Sequence, residues 1–285
     1  MKIDWRAAHG AGEGDDTGMK MLPKEQLSDT DRAADTDRLT DEKKIAVIVP
    51  AFNEEESIGP LIDELRTAVP EVDIVVINDG SSDLTAERAR AKAVTVLDLP
   101  CNIGVGGAVQ TGFCYAFNNG YQYVIRIDGD GQHPPAEIPE LVRAMTSGSH
   151  DLVIGSRFIV SHDRVTSVFR TIGIKLLAIF LSGICRSRIT DPTSGFWMIN
   201  RQLLYYFAND YPTEYPEPEA IALMRRYGFS YTEVGVKFRP RRSGRSSIRR
   251  WGTLYYIFKV GLALVVDRIR PINPRYQKSC LREIL

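Results

Sequence analysis

Short, largely apolar runs alternate with longer, helix-spaced stretches over the middle of this chain. IAVIVP (Ile45–Pro50) is apolar without a break and is stopped by proline, the pattern of a strand covered on both faces. DIVVIND (Asp73–Asp79) reads as a second buried strand, and VTVLDL (Val94–Leu99), YVIRID (Tyr123–Asp128) and DLVIGS (Asp151–Ser156) as a third, fourth and fifth strand. Between them, Ser57 is placed to cap a helix reaching about Ala68. The turn Gly80-Ser81-Ser82 leads into a helix ending near Lys92, and a glycine-rich turn from Gly104 to Gly107 opens another. Strands alternating with helices predict an α/β fold, with a mostly parallel sheet flanked by helices.

Beyond Arg157 the rhythm changes. A helix is expected over Val168–Cys185, a short strand after Phe196, and helices near Arg201 and over Ala220–Tyr227. Ser230–Phe238 reads as a strand. A C-terminal amphipathic helix from about Ser247 to Asp267 ends before Pro271.

Charge changes the picture locally rather than globally. The 36 acidic residues balance the 36 Lys and Arg, so the whole-chain charge selects no partner. Residues 1–44 carry 11 acidic and 8 basic side chains with almost no apolar periodicity, and read as a disordered polar tail. Residues 237–250 carry seven Lys and Arg and no acid, a local site for anions. The expected division is therefore a tail over 1–44, a domain over 45–246, and a C-terminal helix and tail over 247–285. Cys101, Cys114, Cys185 and Cys280 have neither metal-ligand nor redox-pair spacing and read as reduced thiols. The apolar runs Ile172–Cys185 and Leu254–Val266, interrupted by Lys175 and Lys259, are too short to span a bilayer easily but long enough to lie in its interface.

In alternating sheets of this kind ligands bind beyond the carboxyl ends of the strands. The polar clusters fall there: Asn53-Glu54, Asp79, Asp128-Gly129-Asp130 and Arg157. Two carboxylates one residue apart offer hard oxygen ligands suited to Mg²⁺ or Mn²⁺, completed by phosphate oxygens. Asp79 could accept hydrogen bonds from a base or ribose, and Asp83 could cap the following helix. The loop RPRRSGRSS (Arg239–Ser247) could hold a diphosphate through arginine forks and serine hydroxyls. It lacks the interleaved aromatics of a nucleic-acid surface, so no nucleic-acid partner is expected. Asn102–Gly107 lacks the dinucleotide fingerprint after the first strand, which argues against hydride transfer.

Seven segments in order resemble the family 2 glycosyltransferases of the GT-A (Rossmann-like) fold: PAFNEEE (Pro50–Glu56), NDGSSD (Asn78–Asp83), NIGVGGAVQTG (Asn102–Gly112), DGDGQHPP (Asp128–Pro135), GSR (Gly155–Arg157), DPTSGF (Asp191–Phe196) and RRSGRSS (Arg241–Ser247). The chain looks closest to the dolichol- and polyprenyl-phosphate sugar synthase branch. The resemblance implies that Pro50, Phe52, Glu54, Asp79 and Gly107 line the donor pocket. It implies that Asp128, Asp130 and Gln132 hold the metal and donor diphosphate, and that Arg241 and Ser246 close on the donor. Arg157 and Arg170 match basic positions near the transferred phosphate or acceptor. Phe52 stands where tyrosine is common, Val105 replaces a frequent lysine, and the YPEPE segment resembles instead a bacterial cell-surface polysaccharide group.

The implied reaction is inverting displacement at the anomeric carbon of a nucleotide-diphosphate sugar. A polyprenyl-phosphate acceptor is already an anion; a hydroxyl of a lipid-linked glycan would need a base, for which Asp191, Glu217 and Glu219 are the candidates. A non-catalytic nucleotide-sugar-binding scaffold is the reading from another class. Cations and aromatics beside apolar faces in the last helix favour a membrane surface, with core packing or a dimer interface as the alternative. The expected location is cytoplasmic, peripheral on the inner face of the cell membrane, with a small membrane-protein partner or a second copy as candidate anchors.

Overall fold

The computed structural model describes residues 44–159, 168–240, 252–269 and 271–281. Seven strands, β1 (Ile45–Ala51), β2 (Asp73–Asn78), β3 (Thr95–Asp98), β4 (Tyr123–Arg126), β5 (Leu152–Ser156), β6 (Trp197–Asn200) and β7 (Tyr231–Gly235), form one sheet in the spatial order β3-β2-β1-β4-β6-β5-β7. β1 pairs in parallel with both β2 and β4, and β5 with β7. β6 runs antiparallel to β4 and β5. The sheet is thus mostly parallel with one reversed strand inside it. Strand order reverses at β1, and the crevice beyond the ends of β1 and β4 is where such a sheet binds ligands.

The unbroken apolar runs are explained by burial on both faces. Ala46 and Ile48 of β1 point with Val75 and Ile77 into one core, while Val47 and Val49 point with Val76 into the other. The second core is closed by α1 (Ile58–Ala68), α2 (Thr85–Ala91) and α4 (Ile138–Ser147), through Leu61, Ile62, Leu65, Ala89, Leu141 and Val142. The first is closed by α3 (Gly104–Asn118), α5 (Val168–Cys185), α6 (Arg201–Asn209), α7 (Pro216–Arg226) and α8 (Gly252–Ile269), with Phe113, Leu181, Phe207, Ile221 and Val260 among the buried side chains.

Three local expectations change. Helix α4 has no counterpart in the sequence reading, although Ile138, Leu141, Val142 and Met145 follow helical spacing and are all buried. Ser57 occupies the N-cap of α1 but makes no capping bond; its hydroxyl donates instead to the Glu54 carboxylate at 2.8 Å. Helix α7 starts at Pro216 rather than near Ala220, because prolines at the first helical positions remove no needed donor.

The chain then returns to the domain. Lys278, in the short helix α9 (Lys278–Leu281), reaches buried Asp151 with Nζ 2.6 Å from Oδ2, and Leu281 is fully buried in the first core. Among the described residues no helix is long and apolar enough to cross a membrane.

Candidate active site

The loops after β1 and β2 are stitched to each other. Asn53 takes a left-handed conformation (φ 54°), and its Oδ1 accepts the Ser82 N–H at 2.9 Å while its own N–H donates to Ser81 Oγ at 3.0 Å. Gly80 turns with φ 66°, and a Cβ there would meet the Asn102 nitrogen at 2.6 Å, so only glycine fits. Asp83 accepts from the Thr85 N–H at 3.0 Å and the Glu55 N–H at 3.1 Å, securing the start of α2. Burial pushes its carboxyl up, but these hydrogen bonds outweigh it and hold it below the ordinary value. Asp79, 3% exposed, accepts from the N–H groups of Ile103 (2.8 Å) and Gly104 (3.0 Å) at the head of α3. Pro50 is buried, Glu54 half-buried, and Phe52 exposed at 46% with its ring available to a ligand. Gly107 lies in the first turn of α3, where a Cβ would collide with Ile103.

The Asp128–Gln132 loop sits in the β1/β4 crevice, the Gly129 N–H donating to the Pro50 carbonyl at 3.1 Å. Asp128 keeps about a third of its side chain exposed (34%). Its N–H donates to His133 Nδ1 at 3.1 Å, and Arg126 Nη2 donates to its Oδ1 at 3.2 Å. Asp130 is buried and accepts from the Gln132 N–H at 3.0 Å and from the Gln132 side-chain amide. His133 stacks on Phe196 at 5.3 Å; burial, opposed by Asp128 and Asp130, lowers its pKa.

These groups are hard-oxygen donors in one loop, and a divalent cation fits them. Among the described residues no third acidic, histidine or cysteine side chain completes a metal cluster, so water and donor phosphate oxygens would fill the remaining positions. The Arg239 N–H donates to the Gln132 carbonyl at 2.9 Å, which brings the entry of the basic loop against this motif.

Arg157 follows β5. Its Nε and Nη2 donate to the two oxygens of Asp191 at 2.6 Å each, and Nη2 also reaches Thr193 Oγ1 at 2.7 Å. Its guanidinium lies 5.1 Å from the Phe238 ring, whose other neighbour, at 4.9 Å, is His133; Arg157 therefore borders the metal loop. Asp191 is fully buried, and its loop is gripped from below by Glu233, whose carboxylate accepts the N–H groups of Thr190 and Asp191 at 2.8–3.0 Å. Burial raises the Glu233 pKa, opposed by those hydrogen bonds.

Two residues expected as bases are thus already engaged. Asp191 is the two-oxygen acceptor of an arginine fork, and Glu217 Oε1 accepts from Arg126 Nη2 at 2.6 Å. Glu219 lies one turn into α7. Arg170 is in the first turn of α5, but its side chain, like Arg241 and Ser246, lies outside the described residues. The sequence reading missed Arg126, His133 and Glu233 as site groups. Arg126 left a signal as a charge inside an otherwise apolar strand, and His133 lies within the DGDGQHPP segment; Glu233 left none.

With this geometry in place, comparison with known proteins defines the class. A model of the family described as Glycosyl transferase family 2 matches residues 46–207. The chain belongs to the family 2 glycosyltransferases. It is 30% identical over 200 residues to an uncharacterised protein of Methanocaldococcus jannaschii, covering 68% of this chain and 81% of that one. It is 29% identical over 246 residues to the polyprenol monophosphomannose synthase of Mycolicibacterium smegmatis, covering 81% and 91%. To the undecaprenyl-phosphate mannosyltransferase of Micrococcus luteus it is 39% identical over 119 residues, covering 40% and 48%. The fold is also that of glucosyl-3-phosphoglycerate synthase from Mycobacterium tuberculosis, crystallised with Mn²⁺ and uridine diphosphate: TM-score 0.60, 21% identity, covering 87% of this chain and 85% of that one.

Proposed function

We propose that this protein transfers a sugar from a nucleoside-diphosphate sugar to a polyprenyl phosphate at the cytoplasmic face of the cell membrane. The observation that carries the reading is the fork of Arg157, locked by Asp191 and bordering the metal loop. It would present a fixed cation to an anionic acceptor, and two of the three candidate bases, Asp191 and Glu217, are occupied.

The relatives of M. smegmatis and M. luteus are named for polyprenyl-phosphate chemistry, which supports the same acceptor. An exposed apolar stripe supports it too. Ile172, Leu176, Ile179 and Phe180 of α5 and Leu262, Val265, Val266 and Ile269 of α8 are all at least 42% exposed. The two helices pack together, Gly261 lying against the Phe180 ring. Such a surface suits a bilayer interface.

In the reaction an acceptor phosphate oxygen attacks the anomeric carbon. The bond from that carbon to the donor's phosphate oxygen breaks, its electrons leave on the nucleoside diphosphate, and the configuration inverts. A bound Mg²⁺ or Mn²⁺ would neutralise charge on the leaving diphosphate, held by Asp128, Asp130 and Gln132. Pro50, Phe52, Glu54, Asp79 and Gly107 frame the nucleotide end. Arg157 and Arg170 orient the acceptor, and Arg241 and Ser246 close on the donor. Asp191 acts by holding Arg157, since a phosphate needs no base.

The test is a product assay with purified protein, Mn²⁺, a panel of nucleotide sugars, and polyprenyl phosphate against a lipid-linked glycan. A polyprenyl-phosphate sugar as product is the expected result; sugar found only on a glycan hydroxyl would overturn the acceptor.

A further inference from the structure

One buried charge cluster is not explained by donor or acceptor binding. Arg126 ends β4 with 1% exposure, although the neighbouring strand positions are apolar. Its Nη2 is shared between Asp128 Oδ1 at 3.2 Å and Glu217 Oε1 at 2.6 Å. Tyr211 Oη lies 3.4 Å from Nη1, and the guanidinium carbon lies 5.6 Å from the Trp197 ring. The remaining side is closed by Gly195, where a Cβ would come within 2.9 Å of both Arg126 Nη2 and Asp128 Oδ2. Arg126 therefore has no room to swing away from either carboxylate.

An arginine cannot shed its proton, so its charge must be answered in place. Were Asp128 its sole carboxylate partner, that carboxylate would be neutralised by the guanidinium and would compete poorly for a cation. Glu217 changes the balance. With two carboxylates on one guanidinium, the cluster keeps one net negative charge, and the more exposed carboxylate, Asp128 at 34% against 16%, faces the site.

We propose that Glu217 is a positioning residue. Acting through Arg126, it answers the arginine's charge and so preserves the negative charge with which Asp128 holds a divalent cation. The link also ties the first turn of α7 to the metal loop. The proposal rests on the assignment of Asp128 and Asp130 as cation ligands.

The experiment measures Mn²⁺ alone binding to the full-length protein, by the loss of the free-ion electron paramagnetic resonance signal, with thermal unfolding recorded for every variant. Glu217→Gln keeps the shape and removes the charge, and is expected to weaken Mn²⁺ binding about tenfold, the lower end for loss of an outer-shell partner. Arg126→Met is expected to bind Mn²⁺ at least as well as the parent while unfolding at a lower temperature. The double variant Arg126→Met/Glu217→Gln should return to within about threefold of the parent, because the two changes act on one charge balance.

Equal weakening by both single variants, tracking their loss of stability, would show a merely structural cluster and overturn the proposal. So would unchanged Mn²⁺ affinity in Glu217→Gln. Should Glu217→Gln not fold, Glu217→Asp keeps the charge at a shorter reach, and parent-like Mn²⁺ affinity is expected of it; a tenfold loss there would overturn the charge argument. Absence of Mn²⁺ binding by the parent would instead bring down the cation assignment itself, and this inference with it.

Discussion

The polar crevice proposed as the donor end and the exposed apolar stripe proposed as the acceptor side are built on opposite principles. At the donor end, the loops after β1, β2 and β4 hold one another through short polar contacts: Asn53 to Ser81 and Ser82, Asp79 to the head of α3, Gly129 to Pro50. On the proposed acceptor side, α5 and α8 expose isoleucine, leucine, valine and phenylalanine. A small charged ligand is recognised by preorganised donors and acceptors at fixed distances. A lipid surface demands only area and a few placed cations. Arg157, which we propose meets the acceptor phosphate, is held as rigidly as the donor-end residues by its fork to Asp191.

The largest effect should come from the donor end. Asp130→Ala removes a buried strand-end carboxylate, and transfer is expected to fall roughly a hundred- to a thousandfold while the fold persists. Activity assays with and without chelator check it. Full activity of the variant, or of the parent in excess chelator, would end the cation assignment and blur the contrast between the two regions.

The Arg157 fork comes next. Asp191→Asn keeps the shape of the side chain but removes the charge that locks Arg157. Charge-assisted hydrogen bonds of about 1.5–3 kcal/mol are at stake, so transfer should fall roughly ten- to a hundredfold with acceptor varied, while donor binding stays near normal. Because Asp191 acts through Arg157, the pair Asp191→Asn and Arg157→Lys should be markedly less than additive. Multiplicative losses in the double variant would give Asp191 a role of its own, as the hydroxyl-acceptor reading requires.

These two regions were not equally legible in the sequence. The donor end was, because its strands are short, largely apolar runs and each polar motif follows one of them closely. The exposed stripe was foreshadowed by apolar runs broken at Lys175 and Lys259. What stayed hidden depends on contacts between distant positions: Arg126 and Glu217 are 91 residues apart, and Arg157 and Asp191 are 34. The reversed direction of β6 was also unreadable, since WMIN has the same local pattern in either direction. Helix α4 was legible in principle but was overshadowed by the prolines Pro134, Pro135 and Pro139 around its start.

A smaller effect belongs to the acceptor side alone. Ile179→Asp and Val265→Asp place charges in the exposed stripe without touching either core. Each should weaken sedimentation with phospholipid vesicles about tenfold, on the scale of one buried aliphatic side chain. Unfolding temperature and donor binding should not move. Transfer to a short-chain, water-soluble polyprenyl phosphate should hold up better than transfer to a long-chain one. Undiminished vesicle binding would leave the stripe to a protein partner.

The smallest effect is expected from the N-terminal residues, and where the cut is made decides it. The sequence of residues 1–44 has no apolar periodicity, so it offers neither region a packing face. Among the described residues, Lys44 precedes β1 and already makes contacts. The Lys44 carbonyl accepts the N–H of Gln122 at 2.9 Å, and Lys44 Nζ lies 5.2 Å from the Tyr121 ring. A protein starting at Lys44 should keep transfer within about twofold, as expected of a change far from both sites. One starting at Ile45 loses that carbonyl bond at the start of β4 and should be less stable by about 1 kcal/mol, with donor affinity unchanged. Thermal unfolding and transfer to both acceptors read the two truncations. If the folded protein starting at Lys44 lost transfer to long-chain acceptor but kept it to the soluble one, residues 1–43 would belong with the stripe. If it lost both, they would belong to the donor end, and the division between a self-sufficient polar crevice and a surface completed by lipid would have to be redrawn.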